Sequence, residues 1–401
     1  MTSSPKFIVV IILVTNQTTS MKKYFSTLLL FIFVYCLGFS QNLPGKTVTI
    51  YSTILQESRK IQIYSPAQPG SKNITYPVLY VFDAESLFLS VVGATQFMYH
   101  GSSLPQMPEA IIVGIYNTNR DKDMPVPQEI DSTMGAANFL KFLTKELLPF
   151  INKNYPVNKL NTLVGHSQGG LFVTYAGLSY PQLFSFVLSL DAPMTVNKSL
   201  LKNYQQKMSA NCLLRYFSAE SLYGWSNNFA QFAGCNSYRQ QKIDYETHET
   251  MPYKGIYDGL KFLFNEYIPP QSGMSLEELE KYYENLSIKN RCNYEIPRAV
   301  LLAAARQYIG VFKKENAINL ITYCSKKYGA DKQVSLLLAK AKAIIRESDP
   351  RLDFYLKHPG STANSLKPFM GKWEGKLVVP GGEDMNFVWE IKMVNGKYVM
   401  D

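Results

Sequence analysis

The run Gly165-His166-Ser167-Gln168-Gly169 sets a serine between two glycines at the G-x-S-x-G spacing. That spacing suits a nucleophile elbow, a tight strand-to-helix turn that exposes a hydroxyl for attack on a carbonyl. The flanks agree with it. Thr162-Leu163-Val164 reads as a buried strand, and the run from Gly169 through Ala176 reads as the start of a helix. Such a turn is strained, and glycines on either side let strand and helix approach closely. It aims the N–H of Gln168 at a developing oxyanion, with the positive end of a helix behind it.

A serine hydroxyl needs a general base, and only four histidines are available: His100, His166, His248 and His358. His166 fills the variable position of the elbow, with its side chain expected to point away from the reacting face. His100 precedes the nucleophile, and His358 lies beyond a Pro-rich linker. His248 follows the nucleophile, after an expected strand Lys242–Thr247 and before an expected helix Tyr253–Tyr267, where the order Ser, acid, His places the base. Glu220, after the expected strand Cys212–Ser218, is the first choice for the acid, and Asp191, one strand earlier, is the alternative. The second oxyanion donor is expected in the loop after Tyr76–Phe82, at the N–H of Ala84. Tyr223 and Trp225 could line an acyl or aryl pocket, or simply pack in the core. No His-Glu-x-x-His or paired Cys-x-x-Cys is present, so neither a metal nor another cofactor is expected.

The elements needed to hold these groups alternate β-rich and helical runs over residues 46–268. The expected fold is an α/β-hydrolase sheet with helices on both faces. It opens with a hairpin, Thr47–Ser52 and Lys60–Tyr64, followed by strands at Tyr76–Phe82, Ala110–Tyr116, Asn161–Gly165 and Ser185–Asp191. Helices are expected at Met134–Asn152 and Gly169–Tyr180. Ile268-Pro269-Pro270-Gln271-Ser272-Gly273 reads as a linker. The resulting division is a targeting region at 1–40, an esterase domain at 41–270, a helical segment at 271–360 and a short β-rich segment at 361–401. In the helical segment, Leu301, Ala304, Ala305, Tyr308, Ala317, Ile321 and Cys324 have tetratricopeptide-like spacing, which an ordinary helical hairpin would also satisfy. The β-rich segment faintly resembles the start of a lipocalin-like barrel and reads as incomplete.

Composition removes several function classes. With 46% hydrophobic and 18% charged residues the chain is too apolar for a disordered protein. The net charge of +10 comes from 41 basic against 31 acidic residues that are scattered and often adjacent, a solvated surface and not a nucleic-acid footprint. Met21-Lys22-Lys23, the apolar stretch Leu28–Leu37 and Gly38-Phe39-Ser40 have the layout of a signal peptide cut after Ser40. Translation is then expected to start at Met21, and no membrane span should remain after cleavage. Export would put Cys212, Cys235, Cys292 and Cys324 where disulfides can form, although Cys212 reads better as a buried thiol.

The stretches Tyr76–Asp83, Val113–Asp123, Val164–Leu171, Thr247-His248-Glu249 and Gly259–Leu263 together resemble the esterase D, or "putative esterase", family of α/β-hydrolases, which includes enterochelin esterase-like proteins. The resemblance covers residues 46–268. It implies Ser167 as nucleophile and His248 as base, in a secreted or periplasmic serine hydrolase of a small-molecule or carbohydrate ester. Siderophores and acylated sugars are the leading substrate classes. Two other readings stay open: an acyltransferase using the same residues, and a non-catalytic binding or scaffold protein in which the helical segment recruits a protein partner.

Overall fold

The computed structural model describes residues 44–66, 74–126, 135–194, 214–222 and 238–344, together with the backbone of 371–377, 385–394 and 397–400. The targeting region, Tyr223, Trp225, Cys212, Cys235 and His358 lie outside the described residues.

An eight-stranded sheet forms the centre. Its strands are β1 (Lys46–Ser52), β2 (Glu57–Tyr64), β3 (Tyr76–Phe82), β4 (Ile111–Ile115), β5 (Val157–His166), β6 (Phe186–Leu190), β7 (Arg215–Glu220) and β8 (Tyr238–Lys242). The spatial order is β1-β2-β4-β3-β5-β6-β7-β8. The β1–β2 and β2–β4 pairs are antiparallel, and from β4 to β8 every pair is parallel. Parallel pairing requires crossovers, and these carry the helices. They are α1 (Ala84–His100), a helical turn α2 (Arg120–Asp123), α3 (Gly135–Phe142), α4 (Leu148–Asn154) and α5 (Gln168–Ser179), and α6 (Met251–Leu263) follows β8.

All seven residues of β3 and all five of β4 are buried, as in a sheet covered on both faces. Alternation along each strand divides the core in two. Leu79, Val81, Ile112, Val164, Leu188, Phe217 and Ala219 face α1 and α6. Tyr80, Phe82, Val113, Leu163, Val187 and Tyr216 face α3, α4 and α5. The expected single helix Met134–Asn152 is instead interrupted by a π-turn over Leu143–Leu147. Pro149 in the first turn of α4 lacks an N–H to donate back, so the ladder changes pitch there.

Four further helices follow: α7 (Leu276–Asn290), α8 (Arg298–Gly310), α9 (Lys314–Tyr328) and α10 (Lys332–Lys342). Helix α7 starts with a capping box, in which Ser275 and Glu278 satisfy each other's backbone N–H groups. Leu279, Tyr283, Leu301, Ala305, Ile321 and Cys324 continue the core that lies over α1 and α6, so sheet and helical segment share one apolar interior. Near the C-terminus β9 (Gly371–Leu377), β10 (Met385–Val394) and β11 (Lys397–Met400) pair antiparallel in a separate sheet, in the order β11-β10-β9. Cys292 and Cys324 are both free thiols.

Candidate active site

Ser167 joins β5 to α5 with φ 57° and ψ −123°. A non-glycine residue holds such a conformation only where its surroundings over-determine it. Here the two glycines of the motif remove the obstacles. A Cβ on Gly165 would lie 2.3 Å from the carbonyl oxygen of Gly169, and one on Gly169 would lie 2.9 Å from Asp83 Oδ2. The Ser167 N–H donates to the carbonyl of Leu190 at 2.9 Å, which fastens the elbow to the end of β6.

Asp191 follows Leu190 directly. It is fully buried and has φ 41°. Its backbone N–H donates to Ala219 at 2.7 Å, and its Oδ1 accepts from the Ser221 N–H at 3.2 Å. Its Oδ2 lies 2.8 Å from His248 Nδ1. The carboxylate set against the imidazole is that of Asp191, the expected alternative to Glu220. Strand alternation gives the reason. Tyr216 and Glu220 are four residues apart on β7 and share a face, opposite to Phe217 and Ala219, which pack toward α6. His248 enters from the loop that leads into α6. Glu220 closes β7 in a buried position, and its charge adds to burial and to Tyr216 in pushing the pKa of Tyr238 up.

The support of His248 also differs from expectation. Strand β8 ends at Lys242, and residues 243–250 form turns instead of the expected strand to Thr247. Tyr245 has φ 67° and is almost fully exposed there. His248 itself is 28% exposed at the side chain. His166 does not turn away from the reacting groups: its ring lies against that of His248, with centroids 4.4 Å apart.

Both expected oxyanion donors occupy the first position of a helix, where a backbone N–H has no acceptor within its own helix. Ala84 opens α1 and Gln168 opens α5. The residue before each has positive φ, Asp83 at 52° and Ser167 at 57°. One side chain ties the two turns together. Arg120 donates from Nε to Asp83 Oδ1 at 2.8 Å, from Nη2 to Asp83 Oδ2 at 3.1 Å and from Nη1 to Gln168 Oε1 at 3.0 Å. Its Nη2 also approaches the His166 carbonyl at 3.5 Å. Asn117 Nδ2 donates to Asp83 Oδ1 at 2.7 Å and to Glu85 Oε1 at 2.9 Å. Arg120 is held in turn, because Asp123 of the same helical turn pairs with the wholly buried Arg59 at 2.6 Å. Spacing alone assigned no role to Arg120, Asn117 or Arg59. The local signal was polar density, since Asn117-Thr118-Asn119-Arg120-Asp121 directly follows a buried strand.

Among the described residues no cluster of metal-ligating side chains occurs. The arrangement sets an imidazole against a buried carboxylate, close in the fold to a serine in a strained turn and to two helix N-termini.

Comparisons with known proteins bear on the family and the fold. The "Putative esterase" family matches residues 52–256, slightly more than half of the chain. Ferri-bacillibactin esterase BesA of Bacillus subtilis is 29% identical over 184 residues, 40% of this chain and 62% of BesA. An iron(III) enterobactin esterase of Escherichia coli is 26% identical over 150 residues, 37% of this chain and 35% of that protein. The chain thus spans about three-fifths of one of these relatives and about a third of the other. Among solved structures, an IroE-like serine hydrolase from Shewanella oneidensis aligns with TM-score 0.55 and 25% identity, covering 74% of this chain and 98% of its own. An uncharacterised protein from Capnocytophaga ochracea shares the fold, with TM-score 0.56 and 20% identity over 79% of this chain and 94% of its own. By the extent of the family match, this chain belongs to the "Putative esterase" family.

Proposed function

We propose that this protein is a serine carboxylic-ester hydrolase that works through an acyl-enzyme, with Ser167 as nucleophile, His248 as general base and acid, and Asp191 as its carboxylate partner. Ser167 Oγ attacks the ester carbonyl while His248 takes its proton. The N–H groups of Gln168 and Ala84 stabilise the tetrahedral oxyanion. As it collapses, the C–O bond to the alcohol breaks and His248 returns the proton to the leaving oxygen. Water then repeats the attack with His248 as base, releasing the acid and restoring Ser167. Asp191 holds the Nδ1–H tautomer and stabilises the imidazolium.

The observation that carries this reading is the buried Asp191 carboxylate on His248 Nδ1, at the end of the strand that also accepts the Ser167 N–H. The names of the relatives put siderophore esters first among substrates, ahead of acylated carbohydrates. The layout of residues 21–40 supports export, and a protein partner for the helical segment remains a proposal of the same rank.

A fluorophosphonate probe and p-nitrophenyl acetate test the chemistry. The wild-type protein is expected to label once per chain and to hydrolyse the ester. Ser167→Ala should keep its circular-dichroism spectrum and lose both properties. A wild-type chain that fails to label, or a Ser167→Ala variant that turns over normally, would overturn the assignment.

A further inference from the structure

Among the described residues, the His166 ring lies against that of His248, and the catalytic scheme leaves it without a task. The two centroids are 4.4 Å apart, with planes inclined at 40°. A hydrogen bond from Nδ1 to Asp191 fixes one atom of the His248 ring. A second ring against its face restricts turning of the imidazole plane. His166 is well placed to act as such a wall. It ends β5, a ten-residue strand in the middle of the sheet, and its carbonyl is approached by Arg120. His248, by contrast, stands in a turn-rich loop. The rigid histidine thus backs the loop-borne one.

We propose that His166 is a positioning residue for His248, holding the imidazole by ring-to-ring contact in the orientation needed for proton transfer to and from Ser167 Oγ and presenting an uncharged face to the imidazolium formed in the transition state. The inference rests on the Ser167–His248 reading and adds a residue to it.

Two observations favour a wall over a second proton carrier. First, His166 Nε2 is buried and, among the described residues, has no hydrogen-bond partner, and the hydrogen bond that the ring does make is to the backbone of His248. Second, the ring stays neutral where the enzyme would work. Burial, followed by the charge of His248, pushes its pKa down to about 4, outweighing the backbone of His248 and the carboxylates of Asp191 and Asp83, which pull upward. Glu249, the other acid near the pair, is exposed on the same loop as His248. A charged neighbour at this distance would oppose the imidazolium. A neutral ring places no such charge there.

The test compares His166→Phe, which keeps a ring, with His166→Leu, which keeps apolar bulk without one. Both are assayed with p-nitrophenyl acetate at a temperature where their circular-dichroism spectra match the wild type. His166→Leu is expected to lower kcat roughly 10- to 100-fold with KM within about twofold, the pattern of lost alignment and not of lost binding. His166→Phe should recover most of that loss. Proton NMR gives a readout that a purely structural role would not move. The downfield Nδ1–H signal of His248 should stay sharp in wild type and His166→Phe and broaden by exchange in His166→Leu. If His166→Leu folds poorly, His166→Met takes its place with the same expectation.

Wild-type kcat and a sharp signal in the Leu or Met variant would overturn the proposal, as would a Phe variant as impaired as Leu. A Phe variant as inactive as Ser167→Ala would overturn it differently, by making His166 a proton carrier. In all these outcomes the wild-type serine still labels with fluorophosphonate, so the hydrolase reading survives. A wild-type chain that neither labels nor turns over removes both.

Discussion

Asp191 has little freedom to be anything other than the partner of His248. It is fully buried, its backbone is in the left-handed region, and both carboxylate oxygens are engaged, one by the Ser221 N–H and the other by the imidazole. An amide in its place could accept from one of these groups but would bring an NH2 and no charge to stabilise the imidazolium. Asp191→Asn is therefore expected to lower kcat by two to four orders of magnitude, the larger figure being of order 10⁴ as for the best-studied triad acid. Glu220→Gln should change turnover by less than about threefold, although the loss of a buried carboxylate could alter stability. Steady-state kinetics on one ester rank the two variants, and the reverse order would return the role to Glu220. Chain order made both acids visible, because each follows a strand at the right end of the sheet. It could not choose between them. The choice depends on a positive φ at Asp191 and on which face of β7 carries Glu220, and neither follows from residue type. The turn at Ser167 was legible because an elbow needs glycine at fixed offsets.

The loop after β3 and the turn after β5 come from parts of the chain more than eighty residues apart, yet in the proposed mechanism each contributes one N–H to the same oxyanion. Their separation must hold to within a few tenths of an ångström for both donors to act together. Arg120 provides the cross-link: its planar fork spans the Asp83 carboxylate and the Gln168 amide, with Arg59 and Asp123 locking the helical turn that carries it. Arg120→Met should lower kcat about 10- to 100-fold and leave KM nearly unchanged. Arg120→Lys should rescue little, since a point ammonium cannot make the bidentate contact and reach Gln168 as well. A kcat within about twofold of wild type in either variant, measured on folded protein, would show that the two turns hold their spacing without the clamp. Elements with one strong signal were read well, such as β3 with its continuous apolar run. The helix Ala84–His100 was missed because Val91-Val92-Gly93 weakens its helical signature, and the strand before His248 was placed too late. Sequence such as Ile243-Asp244-Tyr245 has strand-like composition, but among the described residues β8 lies at the edge of the sheet, with no strand beyond it.

Composition marks a boundary at Pro269-Pro270, and packing crosses it. The hydroxyl of Tyr283 donates to the Tyr267 carbonyl at 2.8 Å, Ser185 Oγ donates to Asn290, and Arg291 Nη1 donates to Pro181 at 2.6 Å. Tyr267, Tyr283 and Tyr294 form a ring cluster at the seam, with centroids 5.7 and 6.2 Å apart. A linker is recognised from residue types, whereas a shared core depends on which faces meet after folding, so the sequence could show the first and not the second. The consequence is energetic coupling between the helical segment and the catalytic sheet. Leu301 in α8 is completely buried in the common core and far from Ser167 in the chain. Leu301→Ala should cost about 2 to 5 kcal/mol, the range for emptying a buried leucine site. If the two parts unfold together, that loss lowers the midpoint at which esterase activity disappears on heating, and activity and helical ellipticity fall in one coincident transition. With independent units, Leu301→Ala would leave the thermal loss of activity where it is in wild type while part of the ellipticity melted early. The shared interior from Leu79 through Tyr283 to Ile321 favours the coincident outcome, because a cavity opened on one side of the seam removes packing atoms from the other.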